Sequence, residues 1–164
     1  MALSDSSVIS SFKFQSFKVD EFRFSMEKQL GLLAFQGCYT QEDWEAEISI
    51  RKPTFYEANN FYLSGVKFKL SLVPGKTPET KPLAILEGSI SGLFSTENRF
   101  KPEDEEALVQ YQMPAILFPY LRSAVTSFLA NAGFGSFIFP LINMQEIARR
   151  TMKDIVPIVI STNQ

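Results

Sequence analysis

The segment from Met113 to Asn143, MPAILFPYLRSAVTSFLANAGFGSFIFPLIN, carries a single formal charge, Arg122, and is broken by Pro119, Gly133, Gly135 and Pro140. So much apolar side chain must leave water. A core helix, a membrane span and a sticky binding surface are the three ways to do so. Between Arg122 and Glu146 the chain is uncharged and reaches the roughly 20 residues that a bilayer requires. The same stretch holds Ser123, Thr126, Ser127, Asn131, Ser136 and Asn143, and Gly133, Gly135 and Pro140 interrupt any helix in it. Unpaired backbone in hydrocarbon is costly, so no direct membrane insertion is expected.

The chain before this segment reads as strands. In SSFKFQSFKVDEFRFSM, Phe12 and Phe14 share one parity, Phe17 and Val19 the other, and Phe22 and Phe24 return to the first. Alternation with polar residues marks a half-buried strand, and the two parity switches predict bulges near Gln15–Ser16 and Asp20–Glu21. Trp44, Ala46, Ile48 and Ile50 face one side of a second strand, with Glu45, Glu47, Ser49 and Arg51 on the other. Asn59–Asn60 suits a hairpin turn. Val66, Phe68, Leu70 and Leu72 alternate with Lys67 and Lys69 in a third strand. A Pro- and Gly-rich turn, PGKTPETKP, leads to LAILEGSISGLFST, where Gly88 and Gly92 point to a bend or a close backbone approach.

The pattern then becomes helical. Pro102 and the acids Glu103 to Glu106 read as a solvated first turn, where carboxylates meet the positive end of the helix dipole. The main helix is expected from about Pro114 to Asn131, with Leu117, Leu121 and Val125 on one stripe and Ile116, Tyr120, Ala124, Ser127 and Phe128 on another. Pro119 predicts a local kink if the helix starts well before it. A second helix begins near Asn143, where Asn143 and Glu146 have the spacing of a capping box. VPIVISTNQ is left as a short strand or a loose end. Strands followed by helices imply one α+β domain over 1–164: a four-stranded antiparallel sheet over about 9–96, covered by helices at about 103–131 and 143–154. One sheet and two apolar helices leave surface that invites oligomerisation.

Composition removes several functions. A net charge of −2, with no basic run, argues against nucleic acid as a partner, since phosphate binding draws on clustered Lys and Arg. With no histidine and one cysteine, a disulfide framework, a Cys/His zinc site and a His-activated nucleophile are all excluded. No metal, cofactor or catalytic residue is assigned. Cys38 is read as a small buried hydrophobe. The start, MALSDSSVISSFKF, lacks a basic stretch followed by an apolar one, so no signal peptide is read and a cytoplasmic location is expected. There is no Gly-rich loop ending in Lys-Ser or Lys-Thr to cradle nucleotide phosphates.

PAILFPYLRSAVTSFLANAGFGSFIFPLIN closely resembles the signature of the SecB family of protein-export chaperones. The matching residues are Pro114, Ile116, Leu117, Phe118, Pro119, Tyr120, Arg122, Gly133, Phe134, Pro140 and Asn143. Gly92, Leu93 and Phe94 are similar to the end of that family's fourth strand. The resemblance implies an ATP-independent holdase that assembles as a dimer of dimers, keeps preproteins unfolded and passes them to the SecA motor. It implies a client groove helped by Phe134, Phe137, Ile138, Phe139, Leu141 and Tyr111. It implies helix and oligomer packing by Ile116, Leu117, Tyr120, Leu121, Ala124 and Phe128, and a SecA surface using Glu21 or Asp20 together with Glu87. Ser25 stands where a second acid of the first strand would be, and DIVPIVISTNQ replaces the family's acidic tail. SecB-like proteins dedicated to one partner, such as a toxin–antitoxin system, are the second reading within the class.

Two readings lie outside it. An enzyme would use Glu45, Glu47 and Glu57, or the Asp104–Glu106 cluster, as an acid–base pair or a Mg²⁺ site. A scaffold would offer one folded partner a flat, closed interface.

Overall fold

A computed structural model describes residues 12–75, 80–135, 137–151 and 157–161. Four long strands come first: β1 (Phe12–Met26), β2 (Trp44–Tyr56), β3 (Phe61–Leu72) and β4 (Ala84–Thr96). They form an antiparallel sheet in the order β1-β4-β3-β2, and a fifth strand, β5 (Ile158–Ile160), adds parallel to the outer edge of β2. The sheet is therefore mixed and five-stranded rather than four-stranded. The apolar Ile-Val-Ile run, β-branched at every position, has the composition of a strand. The expected sheet start near residue 9 and the expected helix end at 154 lie outside the described residues.

The pairing of β1 with β4 slips between Phe14 and Ser16 and again between Val19 and Glu21. These are the two bulges that the parity switches predict. Each bulge turns the following phenylalanines back to the inner face. Phe14 and Phe17 thus both reach Tyr120, with ring centroids 5.1 and 4.8 Å apart, and Phe22 and Phe24 both reach Phe128 at 5.8 and 5.6 Å. Between β2 and β3 the chain turns through Asn60 at φ 53°, as an Asn-Asn hairpin turn should.

The helical layer is one run, Pro102–Asn131, long and apolar enough by length and composition alone to cross a membrane. Here Met113, Leu117, Leu121, Val125 and Leu129 are buried in the core with the inner residues of β3 and β4. The run has three parts: α2 (Pro102–Ala107), a π turn (Leu108–Gln112) and α3 (Met113–Asn131). Pro114 has no N–H to return to the preceding turn, and the backbone widens there, with Met113 N–H donating to Leu108 O. Gly92 lets α3 lie close on the sheet, because a Cβ on it would collide with the Leu117 side chain.

The acidic first turn of α2 is only partly solvated. Glu105 is buried, accepts from Tyr62 Oη at 2.6 Å and from Arg99 Nε at 2.9 Å, and so pins α2 to β3. Burial, reinforced by this carboxylate, pushes the Tyr62 phenol above its ordinary pKa range. Three further short segments, 3₁₀ turns at Lys28–Leu30 and Gln41–Asp43 and the helix α1 (Gly31–Phe35), lie in the crossover between β1 and β2. Past the glycine turn at Gly37, φ 65°, Cys38 is exposed rather than buried; the turn carries it clear of the sheet. The second helix, α4 (Met144–Thr151), begins as expected, with Asn143 Oδ1 accepting from Gln145 N–H and Glu146 N–H at 3.1 and 3.2 Å. The carboxylate of Glu146 instead binds Arg149 and Arg150, because both guanidiniums lie one turn ahead of it.

Candidate functional site: an apolar crossover and loop

The loop joining α3 to α4 divides its apolar residues between two destinations. Phe134, Phe137 and Phe139 belong to the buried core. Phe134 and Phe137 flank the only tryptophan, Trp44, with centroids 5.7 and 5.1 Å away, and Phe139 meets Phe118 edge-on at 5.6 Å. Ile138 and Leu141 turn outward and are 63% and 86% exposed. Tyr111 is exposed on the π turn. The structure thus gathers the three loop phenylalanines into one aromatic cluster that the described chain itself buries, and leaves Ile138, Leu141 and Tyr111 at the surface.

The crossover before β2 adds apolar surface that strand and helix periodicity did not bring out. On α1, Leu32 and Phe35 are 68% and 86% exposed. The run Gly-Leu-Leu-Ala-Phe, uncharged between Lys28 and Glu42, was the signal available. This crossover is tied to the loop by polar bonds. Gln41 Nε2 donates to Ile138 O at 2.7 Å, and Ile138 N–H donates to Gln41 Oε1 at 3.0 Å. One carboxamide therefore satisfies both backbone groups of a loop residue, as a neighbouring strand would. Tyr39 packs on Phe134, 5.9 Å between centroids. Between the two segments lies a hollow of about 240 Å³ lined by Gln41, Glu42, Trp44, Ala46, Leu70, Phe137 and Pro140. Small-molecule sites usually run from roughly 300 Å³ upward, so this hollow suits one side chain better than a cofactor.

The helix residues separate by stripe. Leu117 and Leu121 are fully buried against the sheet. Ile116, Ala124 and Phe128 are half-buried and Tyr120 is exposed on the side facing β1.

The proposed acids of the outer sheet face are all paired or opposed by basic residues. Asp20, extruded at the second bulge, accepts from Arg51 at 2.8 Å and from Ser91 at 2.6 Å. Arg51 crosses β3 to reach it over Gly65, where a Cβ would stand 3.0 Å from the arginine Cδ. Glu21 accepts from Arg23 at 2.5 Å. Glu87 stands opposite Arg23 on one neighbouring strand and Lys69 on the other. Glu45 and Glu47 are exposed on β2, and Glu47 faces Lys69 across the ladder. Among the described residues no three His, Cys, Asp or Glu converge as a metal site.

Known proteins share this fold. In fold, the chain is similar to a Mycobacterium tuberculosis SecB-like chaperone solved in complex with a ChAD peptide from the HigA1 antitoxin. The TM-score is 0.60 at 10% identity, over 81% of this chain and 91% of that one. In sequence it is 33% identical over 76 residues to the protein-export protein SecB of Aromatoleum aromaticum, which is 46% of each chain. It is 35% identical over 75 residues to that of Neisseria meningitidis serogroup A, covering 46% of this chain and 50% of the relative. For the Dechloromonas aromatica protein-export protein SecB, 31% identity extends over 83 residues, 50% of this chain and 53% of the relative. The chain spans about half the length of the curated relatives it matches. The profile of the SecB family, described as preprotein translocase subunit SecB, matches residues 22–154, and with that match reaching from β1 through α4 the chain belongs to the SecB family.

Proposed function

We propose that the protein is an ATP-independent holdase chaperone, which binds non-native polypeptides in the cytoplasm and performs no catalysis. The observation that carries this reading is the exposed apolar side chains on two segments, Leu32 and Phe35 on α1 of the crossover and Ile138 and Leu141 on the loop, with the crossover hydrogen-bonded to the loop through Gln41. A client's apolar side chains gain up to about 1.5–3 kcal/mol each on full burial, and several weak contacts along one unfolded chain reinforce one another. The test is light scattering of a denatured client diluted with and without the protein. Wild-type protein is expected to suppress aggregation at a small molar excess without nucleotide. Replacing Ile138 and Leu141 together by Ser is expected to weaken holding while leaving the circular dichroism unchanged. No protection by wild-type protein would overturn the reading.

Two client ranges follow from the family: preproteins handed to SecA, and one dedicated partner such as an antitoxin. The balanced charges around Asp20, Glu21 and Glu87 favour the second, because electrostatic docking draws on unopposed charge. Calorimetry with SecA separates them. Binding that weakens when Glu21 and Glu87 are changed to Lys supports the export range; no SecA binding by wild-type protein supports the dedicated one.

A further inference from the structure

β5 is held to the sheet by its backbone. Ile158, Val159 and Ile160 pair with Thr54, Phe55 and Tyr56. Glu57 N–H donates to Ile160 O at 3.1 Å, and the Ser161 hydroxyl donates to the Glu57 carboxylate. Yet all three β5 side chains are exposed, although each is apolar and β-branched. Such a strand gains little from burial, and its ladder bonds exchange readily for bonds to water. Parallel pairing is also slightly weaker per residue than antiparallel pairing.

The rest of that edge is different. Along Trp44–Arg51, β2 has β3 on one side and, among the described residues, no strand on the other. The register slips between Arg51 and Thr54, where Pro53 has no N–H to offer. Thr54–Glu57 is thus a short edge, set off by the bulge, on which an added strand is already seated.

Resting on the holdase reading, we propose that the Thr54–Glu57 edge of β2 is a backbone-recognition site for an extended, apolar, β-branched segment of a non-native polypeptide, with β5 as the chain's own occupant, released when a client segment pairs in its place. The occupant indicates the chemistry that the edge accepts. Ile-Val-Ile is the composition of a strand that a folded client would bury and an unfolded one exposes. Recognition through main-chain bonds tolerates many sequences. Self-occupancy also covers an edge that would otherwise pair with stray strands. Its consequence is a client affinity reduced by the fraction of time that β5 is docked.

Full-length proteins in a Cys38→Ser background test this, with reduced and carboxymethylated α-lactalbumin, a permanently unfolded chain, as probe. Ile160→Pro removes an edge N–H and should release β5. If β5 is docked about nine-tenths of the time, this variant binds the probe roughly tenfold more tightly. Thr54→Cys with Ile158→Cys pins β5 when oxidised; it should lose affinity and regain it on reduction. In the wild-type complex the Ile158 and Ile160 amides should exchange faster than in the free protein, while the Glu57 amide stays protected. If wild-type protein binds the probe, but the released and pinned variants bind it equally well and the β5 amides keep their protection, the edge is structural and the inference fails. It fails as well if pinning changes only the mass by light scattering, which assigns the edge to a second copy. If wild-type protein binds no probe at all, the holdase reading fails and carries this inference with it.

Discussion

A side chain at position 88 and one at position 92 would meet different obstacles. A Cβ on Gly88 would collide with the backbone oxygen of Glu21 at the second β1 bulge, and would stand 2.7 Å from the Phe22 ring. A Cβ on Gly92 would meet the far end of the Leu117 side chain. A ladder carbonyl cannot move without its strand, whereas a leucine tip can swing. Gly88→Ala is therefore expected to destabilise by about 2–3 kcal/mol and Gly92→Ala by about 1 kcal/mol, within the range of overpacking. Urea midpoints check this, and the reverse order would contradict it. Tyr62→Phe leaves Glu105 without its hydroxyl donor and should cost about 1–2 kcal/mol, since bonds to charged groups are the stronger ones. The close approach at both glycines was legible in the sequence, because a glycine inside an apolar strand has few other uses. The burial of Glu105 was not, because its partner Tyr62 lies 43 residues away and the local pattern of acids after Pro102 is that of a solvated turn.

At the scale of elements, β1 was the most legible, because a change of parity has one cheap explanation, a bulge, and the pairing with β4 contains both. The α3–α4 loop was legible as apolar but not in its division. Whether a loop phenylalanine turns inward depends on Trp44 and Phe118, which no local periodicity brings beside it. The same holds for α1, whose five residues are too few to show a helical period. Helix α4 carries a prediction in acid. Arg149 and then Arg150, hydrogen-bonded to Glu146, hold its carboxyl down to about 2, against roughly 4.3 for an unperturbed glutamate. A depressed folded pKa contributes stability that is fully present above the unfolded value and is lost as pH falls through the folded one. Amide exchange in α4 should therefore quicken as pH falls from about 4 towards 2, relative to the core strands and after correction for intrinsic rates. In Glu146→Gln that extra quickening should be absent.

At the scale of the whole molecule, the described residues leave apolar surface uncovered. β1 is an outermost strand of 15 residues, with no further strand paired to its outer edge among the described residues, and such an edge is a pairing template. Beside it runs the second stripe of α3, with Tyr120 exposed, Ile116, Ala124 and Phe128 half-buried, and Val19 of β1 also exposed. A helix that buries one apolar stripe and leaves its neighbour half open has the character of an interface helix. The stripe that closes on the sheet, Leu117 and Leu121, and the one that stays open were both visible as helical spacings. Which of them would meet the sheet was not, because that choice is made by Gly92 and by the β1 bulges together. We expect light scattering at micromolar concentration to give four times the chain mass, falling to twice or once that mass on dilution. Tyr120→Asp places a charge on the open stripe and disturbs no fully buried residue. It should lower the mass while the far-ultraviolet spectrum stays that of the folded chain, because a charge taken into an apolar interface without a partner is strongly disfavoured. A wild-type protein that scatters as a monomer over the whole range would leave the open stripe as client surface. In that case Tyr120→Asp should weaken holding instead of assembly.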